Sequence, residues 1–303
     1  MRSIGFTGWH GGALILELLS VVAPVFIVAL VGLAWARSGA HFDEVSISRL
    51  VLNVGVPCLL FRSLTSLDVS PFELAQMAGL TVGVMSLFAV GGFAVLKAMK
   101  LPSHTFLGPL VFSNSGNIGV PICLFAFGEP GLALGMTYFA VSATFHVSLG
   151  GPLFSGIYSL RPFLRSPLTW AVVITIPVVA SGVTVPTWIA RTTTLLGDIA
   201  IPLMLLTLGV SLSKMHPDSL GRSVVLSLVR LALGVSAGLL VTTLLGVEGL
   251  TRKVLVLQAS MPVGVLNYLF AHRYGRSPEQ VASLVLVSTL LSVVSIPVLL
   301  AWL

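Results

Sequence analysis

Ten stretches of this chain are apolar over lengths that match a lipid bilayer: 14–36, 47–64, 72–98, 106–127, 131–158, 168–183, 188–212, 223–245, 253–271 and 278–303. A helix of about 20 apolar residues crosses the hydrocarbon core. In lipid the backbone must satisfy its own hydrogen bonds, which leaves helices or closed barrels. Segments of this length call for helices. Only 9% of the 303 residues are charged, against about 25% in soluble domains. The connections are short, and the one between the fifth and sixth segments, 159–167, holds Arg161, Pro162, Arg165 and Pro167 and reads as a linker. The chain is expected to be an all-α integral membrane protein with ten transmembrane helices. Soluble two-domain folds, disorder and nucleic-acid binding are excluded by the same composition. The two cysteines, Cys58 and Cys123, lie inside apolar segments and read as small core residues. The stretch 14–36 is too long for the apolar region of a signal peptide, and Pro24 interrupts it.

The net charge of +6 sits in the connections, where it reports topology. With the N-terminus outside, the cytoplasmic side holds Arg37, Arg49, Lys97, Lys100, Arg161, Arg165, Lys214, Arg222, Arg273 and Arg276. The outer side holds Arg2, Arg62, Arg191, Arg252 and Lys253. This bias places both termini outside. Arg230 is left within a segment, about two turns from the cytoplasmic boundary, and is expected to snorkel.

The segments repeat. Asn53-Val-Gly-Val-Pro57 in the second has a counterpart in Asp198-Ile-Ala-Ile-Pro202 in the seventh. Asn117-Ile-Gly-Val-Pro121 in the fourth is matched by Pro262-Val-Gly264-Val-Leu-Asn267 in the ninth. The halves are 1–160 and 161–303, with five helices each. An odd number of crossings per half inverts the second half, and in such proteins the ligand site lies where interrupted helices of the two halves meet.

The fourth and ninth segments carry the chemistry. Gly and Pro at membrane depth free backbone groups that lipid cannot satisfy, so protein or a wet cavity must surround them. The N-terminal ends of half-helices favour an anion. Asn114, Asn117 and Asn267 offer amide hydrogens to a carboxylate and oxygens to a cation. The candidate binding set is therefore Asn114, Asn117, Gly119, Pro121, Pro262, Gly264 and Asn267. The competing reading is that small and polar residues bind helix to helix. Asp198, in the middle of the seventh segment, is a candidate proton carrier, or else a cap on a helix distorted before Pro202. His146, among Ser142, Thr144 and Ser148, is either a proton relay or a packing histidine. Gln258 and Tyr268 flank the ninth break as secondary liners, and Glu129 and Pro130 form a structural turn. No nucleotide loop, metal motif or catalytic constellation is present, so no enzyme, cofactor or metal is expected.

At Asn114-Ser-Gly-Asn117-Ile-Gly-Val-Pro121, followed by Phe127-Gly-Glu-Pro-Gly131, the chain resembles the auxin efflux carrier family, which includes plant PIN-type exporters and bacterial malonate transporters. The resemblance continues through Leu196–Leu212, through Ala259–Gly275 and at Ser288-Thr-Leu-Leu-Ser. It implies ten helices in two inverted repeats with helices four and nine crossed. Helices one, two, six and seven would form a scaffold, and three to five with eight to ten a transport domain that moves as an elevator. It also implies an organic-anion substrate held at the crossing, a homodimer, and residence in a bacterial inner membrane. The long loop of PIN-type members is replaced here by 159–167 alone. The expected function is secondary transport of small carboxylates, with proton or sodium coupling. The alternatives are a sodium-coupled symporter of bile-acid-transporter-like design and a receptor or assembly protein that does not transport.

Overall fold

The computed structural model describes residues 11–65, 69–156 and 161–303. Its elements are α1 Gly11–Arg37, α2 Glu44–Thr65, α3 Pro71–Ala98, α4 Ser103–Val111, α5 Ser115–Ser155, α6 Arg161–Arg165, α7 Pro167–Ser181, α8 Thr187–Ser213, α9 Leu220–Leu244, α10 Gly249–Ala259, α11 Leu266–Tyr274 and α12 Pro278–Trp302. Apart from one isolated antiparallel bridge, no strand occurs among the described residues. Seven of the helices are long and apolar enough to cross a membrane: α1, α2, α3, α5, α8, α9 and α12. The difference from ten segments has three local causes. The fourth segment is split, and its second part runs on into the fifth as the 41-residue α5, bent at Gly128 (φ 69°, ψ −160°). The sixth segment forms only the 15 residues of α7. The ninth is divided into α10 and α11.

Helix ends follow the local chemistry. Ser70 caps α3: its hydroxyl accepts from the Glu73 N–H, while the Glu73 carboxylate accepts from the Ser70 N–H, with Pro71 opening the first turn. Asp43 caps α2 by accepting from the Ser46 N–H at 3.0 Å. Three wide π-helical turns, Val51–Gly55, Ser115–Gly119 and His146–Gly150, each stop two residues before a proline, Pro57, Pro121 and Pro152. Proline has no N–H for the carbonyl four residues earlier and its ring crowds that carbonyl. A wide turn absorbs the defect. The residues at those carbonyls are Asn53, Asn117 and Ser148, all polar.

The helices α1, α2, α7 and α8 pack on one another. The seam of α1 with α8 is the tightest: a Cβ added at Gly32 would sit 2.1 Å from the Leu206 carbonyl oxygen, and one at Gly209 would sit 1.8 Å from that of Ala29. Small residues let backbones touch, which is how membrane helices associate without a hydrophobic drive. Ion pairs tie α2 to α8 at two levels. Lys214 meets Glu44 at 2.5 Å, and the Ser211 hydroxyl donates to the same carboxylate. Arg62 meets Asp198 at 3.0 Å and, beyond this pair, Glu129 of α5 at 2.7 Å. The remaining helices, α3, α4, α5 and α9 to α12, pack around the segment breaks. Phe88, Met77, Ile118, Ile122 and Val256 are fully buried among them. Large apolar side chains such as Ile27, Leu30, Trp170, Ile174, Val294 and Val298 face outward, as a lipid-solvated surface requires.

Candidate functional site at the crossing of two interrupted helices

Between α4 and α5 the chain leaves helical geometry at Phe112–Asn114, and between α10 and α11 at Ser260–Val265. The two breaks lie against each other. Ser113 and Val263 form an antiparallel bridge. The Asn114 N–H donates to the Pro262 carbonyl at 2.7 Å, and the Gly264 N–H donates to the Phe112 carbonyl at 3.1 Å. The interruptions thus satisfy part of each other's backbone, which lipid could not do. Gly264 is required there, because a Cβ would lie 2.9 Å from the Ser113 carbonyl oxygen.

The structure gathers most of the residues singled out in the sequence. Asn114 is buried, and its Nδ2 has no hydrogen-bond partner. Its carbonyl accepts from Ile118 and Gly119, opening the wide turn of α5. Asn117, in that turn, is partly exposed. Gly116 in the same turn is packed by Phe139 and by Met204 of α8. Gly119 faces α10: a Cβ there would lie 2.1 Å from Oε1 of Gln258, an atom with no partner, while the Gln258 amide donates to the Gly135 carbonyl at 3.3 Å. Pro121 and Pro262 are buried. The His146 ring stacks on Phe112 with centroids 4.1 Å apart and touches Phe270, and its Nε2 has no hydrogen-bond partner. It packs as an aromatic ring at the edge of the crossing. Tyr268 is half-buried one residue beyond Asn267.

Three expectations change. Asn267 is fully buried, and both hydrogens of its amide are committed, to the Phe112 and Gly264 carbonyls at 2.9 Å each. It is a strut across the crossing that presents only Oδ1, and it has no amide hydrogen left for a carboxylate. Asp198 is not buried within the protein. Its side chain is 57% exposed and paired with Arg62, because α8 breaks at Ile199 and turns the carboxylate towards the end of α2. Arg230 does not snorkel. It is 1% exposed, its guanidinium lies 4.4 Å from the Phe88 ring centroid, and none of its three nitrogens has a hydrogen-bond partner.

Arg230 was read as snorkelling, and Tyr138 and Ser113 were not among the expected site residues. Tyr138 lies beside both Ser113 and Arg230, joining the guanidinium to the α4 break. The signal was available for Arg230 alone: an arginine ten residues into a 25-residue apolar helix is at mid-membrane depth, and such residues are rare and functional.

The chain is similar to known membrane proteins. A family model described as a membrane transport protein matches residues 152–300. An uncharacterized transporter of Methanothermobacter thermautotrophicus is 29% identical over 298 residues, covering 93% of this chain and 95% of that protein. An uncharacterized transporter of Methanocaldococcus jannaschii is 24% identical over 300 residues, covering 92% and 96%. With its apolar spanning helices the chain is a multi-pass membrane protein, and over residues 152–300 it is similar to the membrane transport protein family, the auxin efflux carrier-like family.

Proposed function

We propose that the chain is a secondary transporter of small organic anions, carboxylates foremost, with the binding site at the crossing. The observation that carries this reading is the bridge of Ser113 to Val263, flanked by buried donors without partners, Ser113 Oγ and Asn114 Nδ2. A transporter must leave polar groups unsatisfied where its substrate arrives, because groups already paired inside the protein gain nothing from a ligand. Asn114 and Asn117 donate to the carboxylate, Gly119, Pro121 and Gly264 shape the backbone around it, and Pro262 with Asn267 holds the two breaks together.

In this reading the ten segments form two inverted five-helix repeats, 1–160 and 161–303, in an inner membrane with both termini outside. The cluster of α1, α2, α7 and α8 is the scaffold. The helices around the breaks carry the site past it as an elevator, and two copies form a homodimer. The pair of Arg62 with Glu129 joins the scaffold to the moving part and must open during transport. Proton coupling falls to His146, which stands at the crossing, before Asp198, which is paired with the same Arg62. A sodium-coupled symporter is the second reading, favoured by two unpartnered buried oxygens, Oδ1 of Asn267 and Oε1 of Gln258.

Uptake of radiolabelled mono- and dicarboxylates into proteoliposomes tests both. Uptake by wild type that Asn114→Ala and Asn117→Ala abolish supports the carboxylate site, and its dependence on sodium against choline selects the coupling ion. Substitutions that leave uptake unchanged reduce both asparagines to packing roles.

A further inference from the structure

Beside the α10–α11 break is a second polar feature. A cavity of about 20 Å³ is lined by Ser227 and Arg230 of α9, Ser260 and Pro262 of the break, and Ser288 and Ser292 of α12. It holds one occupant the size of a water molecule. The hydroxyls of Ser227, Ser260, Ser288 and Ser292 already donate to carbonyls of their own helices, those of Ser223, Val256, Val285 and Thr289. Of the remaining lining groups, Ser295 is a partly exposed hydroxyl, and Arg230 supplies the buried donors without partners. The Phe88 ring covers one face of the guanidinium, so the N–H groups at its edge remain open. Tyr138, a neutral phenol, is the ionisable side chain near Arg230, and the salt bridges among the described residues lie elsewhere. A buried cation with no counter-charge carries a desolvation penalty of several kcal/mol.

We propose that this cavity is an anion subsite in which Arg230 binds a small inorganic monovalent anion of chloride size. A halide ion is little larger than a water molecule, carries the charge that Arg230 lacks, and accepts several N–H bonds without demanding a fixed geometry. A free carboxylate substrate is too large for the cavity. The subsite is therefore separate from the organic-anion site, although Pro262 is shared by the cavity and the crossing. It stands whether or not the carboxylate reading does. If both hold, the anion bound at Arg230 neutralises that guanidinium and changes by one the charge that crosses with the substrate.

The test is equilibrium binding of radioactive chloride to the purified full-length protein in detergent, with gluconate at matched ionic strength as the reference, and no organic substrate present. Wild type is expected to bind chloride saturably, with displacement by bromide and a rise in Tm. Arg230→Met is expected to weaken binding about tenfold or more and to lose the chloride-dependent rise in Tm. Arg230→Lys is expected to bind detectably but more weakly, since it keeps the charge and loses the planar donor edge. Ser292→Leu, which fills the cavity and leaves the charge in place, is expected to abolish binding, so the proposal stays testable if Arg230→Met does not fold. Asn117→Ala is expected to bind chloride as wild type does. Absence of saturable chloride binding in wild type overturns the proposal, and so does undiminished binding in Arg230→Met or Ser292→Leu. Competitive displacement of chloride by carboxylates overturns the separate subsite and makes Arg230 the counter-charge of the substrate. Failure of carboxylate uptake with intact chloride binding sinks only the transport reading.

Discussion

The two halves of the chain meet in two ways. Where α1 crosses α8, Gly32 and Gly209 bring backbone against backbone and the contact is dry. Where the α4–α5 break crosses the α10–α11 break, Gly264 and Gly119 allow the same close approach, yet polar atoms of Ser113, Asn114, His146, Gln258 and Asn267 remain without partners. One device, a side chain reduced to hydrogen, serves both places. The difference lies in what surrounds it. The seam is closed by alkyl groups and has no capacity for a ligand. The crossing is surrounded by hydrogen-bonding groups that the fold itself does not use. Close backbone packing and unused hydrogen-bonding capacity are thus concentrated in different crossings of one chain.

Substitutions can break or sharpen this contrast. Gly209→Val should have the largest effect, since its side chain has no room beside Ala29 and Leu33. Overpacking of this kind is expected to remove about 3 kcal/mol or more, read as loss of monodisperse protein on size-exclusion chromatography. Asn267→Leu leaves the Phe112 carbonyl without its side-chain donor and is expected to lose about 2 kcal/mol, visible as a lower Tm together with lost uptake. Asn114→Ala should separate the two properties. Its amide nitrogen has no partner to lose, so stability is expected to change by less than about 1 kcal/mol, while uptake falls about tenfold or more. A large fall in Tm for this variant would show that the crossing is built for packing. Arg62→Met removes two partly exposed ion pairs and is expected to lose about 1 kcal/mol, with its larger effect on the transport rate. The smallest effect belongs to Asp43, whose carboxyl is held below the usual range by the side-chain and backbone hydrogen bonds of Ser46. A depressed carboxyl contributes stability above its unfolded value and loses that contribution as pH falls through its folded value. The Tm gap between wild type and Asp43→Ala should therefore be constant near neutrality and close below about pH 4.

The interruptions were legible in the sequence because Asn, Gly and Pro stand out in an apolar run, and each has a backbone reason to be there. What faced those residues was not. Asn267 was read as a donor to ligand, since nothing in its neighbours shows that the Phe112 and Gly264 carbonyls would claim both hydrogens. Asp198 was read as buried because hydropathy averages along the chain and is blind to direction. Its actual partner, Arg62, is supplied by another helix. Arg230 failed for a related reason: the length of its side chain suggested escape to water, while burial against Phe88 depends on how α3 packs on α9. The ends of α7 fall within two residues of the segment read at 168–183, because Ser166-Pro167 and Gly182 mark where the helix starts and stops.

The three wide turns constrain the length of this protein as well as its composition. Each is one residue more than an α-helix would use over the same span. An extra residue rotates everything downstream by about 100° about the helix axis. Removing a single residue from Val51–Gly55, Ser115–Gly119 or His146–Gly150 would swing the following helix face by more than a quarter of a circle and redirect every side chain on it. In these helices point substitutions are absorbed locally, whereas insertions and deletions act as rotations of whole segments. The spacing from each wide turn to its proline therefore fixes the angle at which the rest of the helix faces its neighbours.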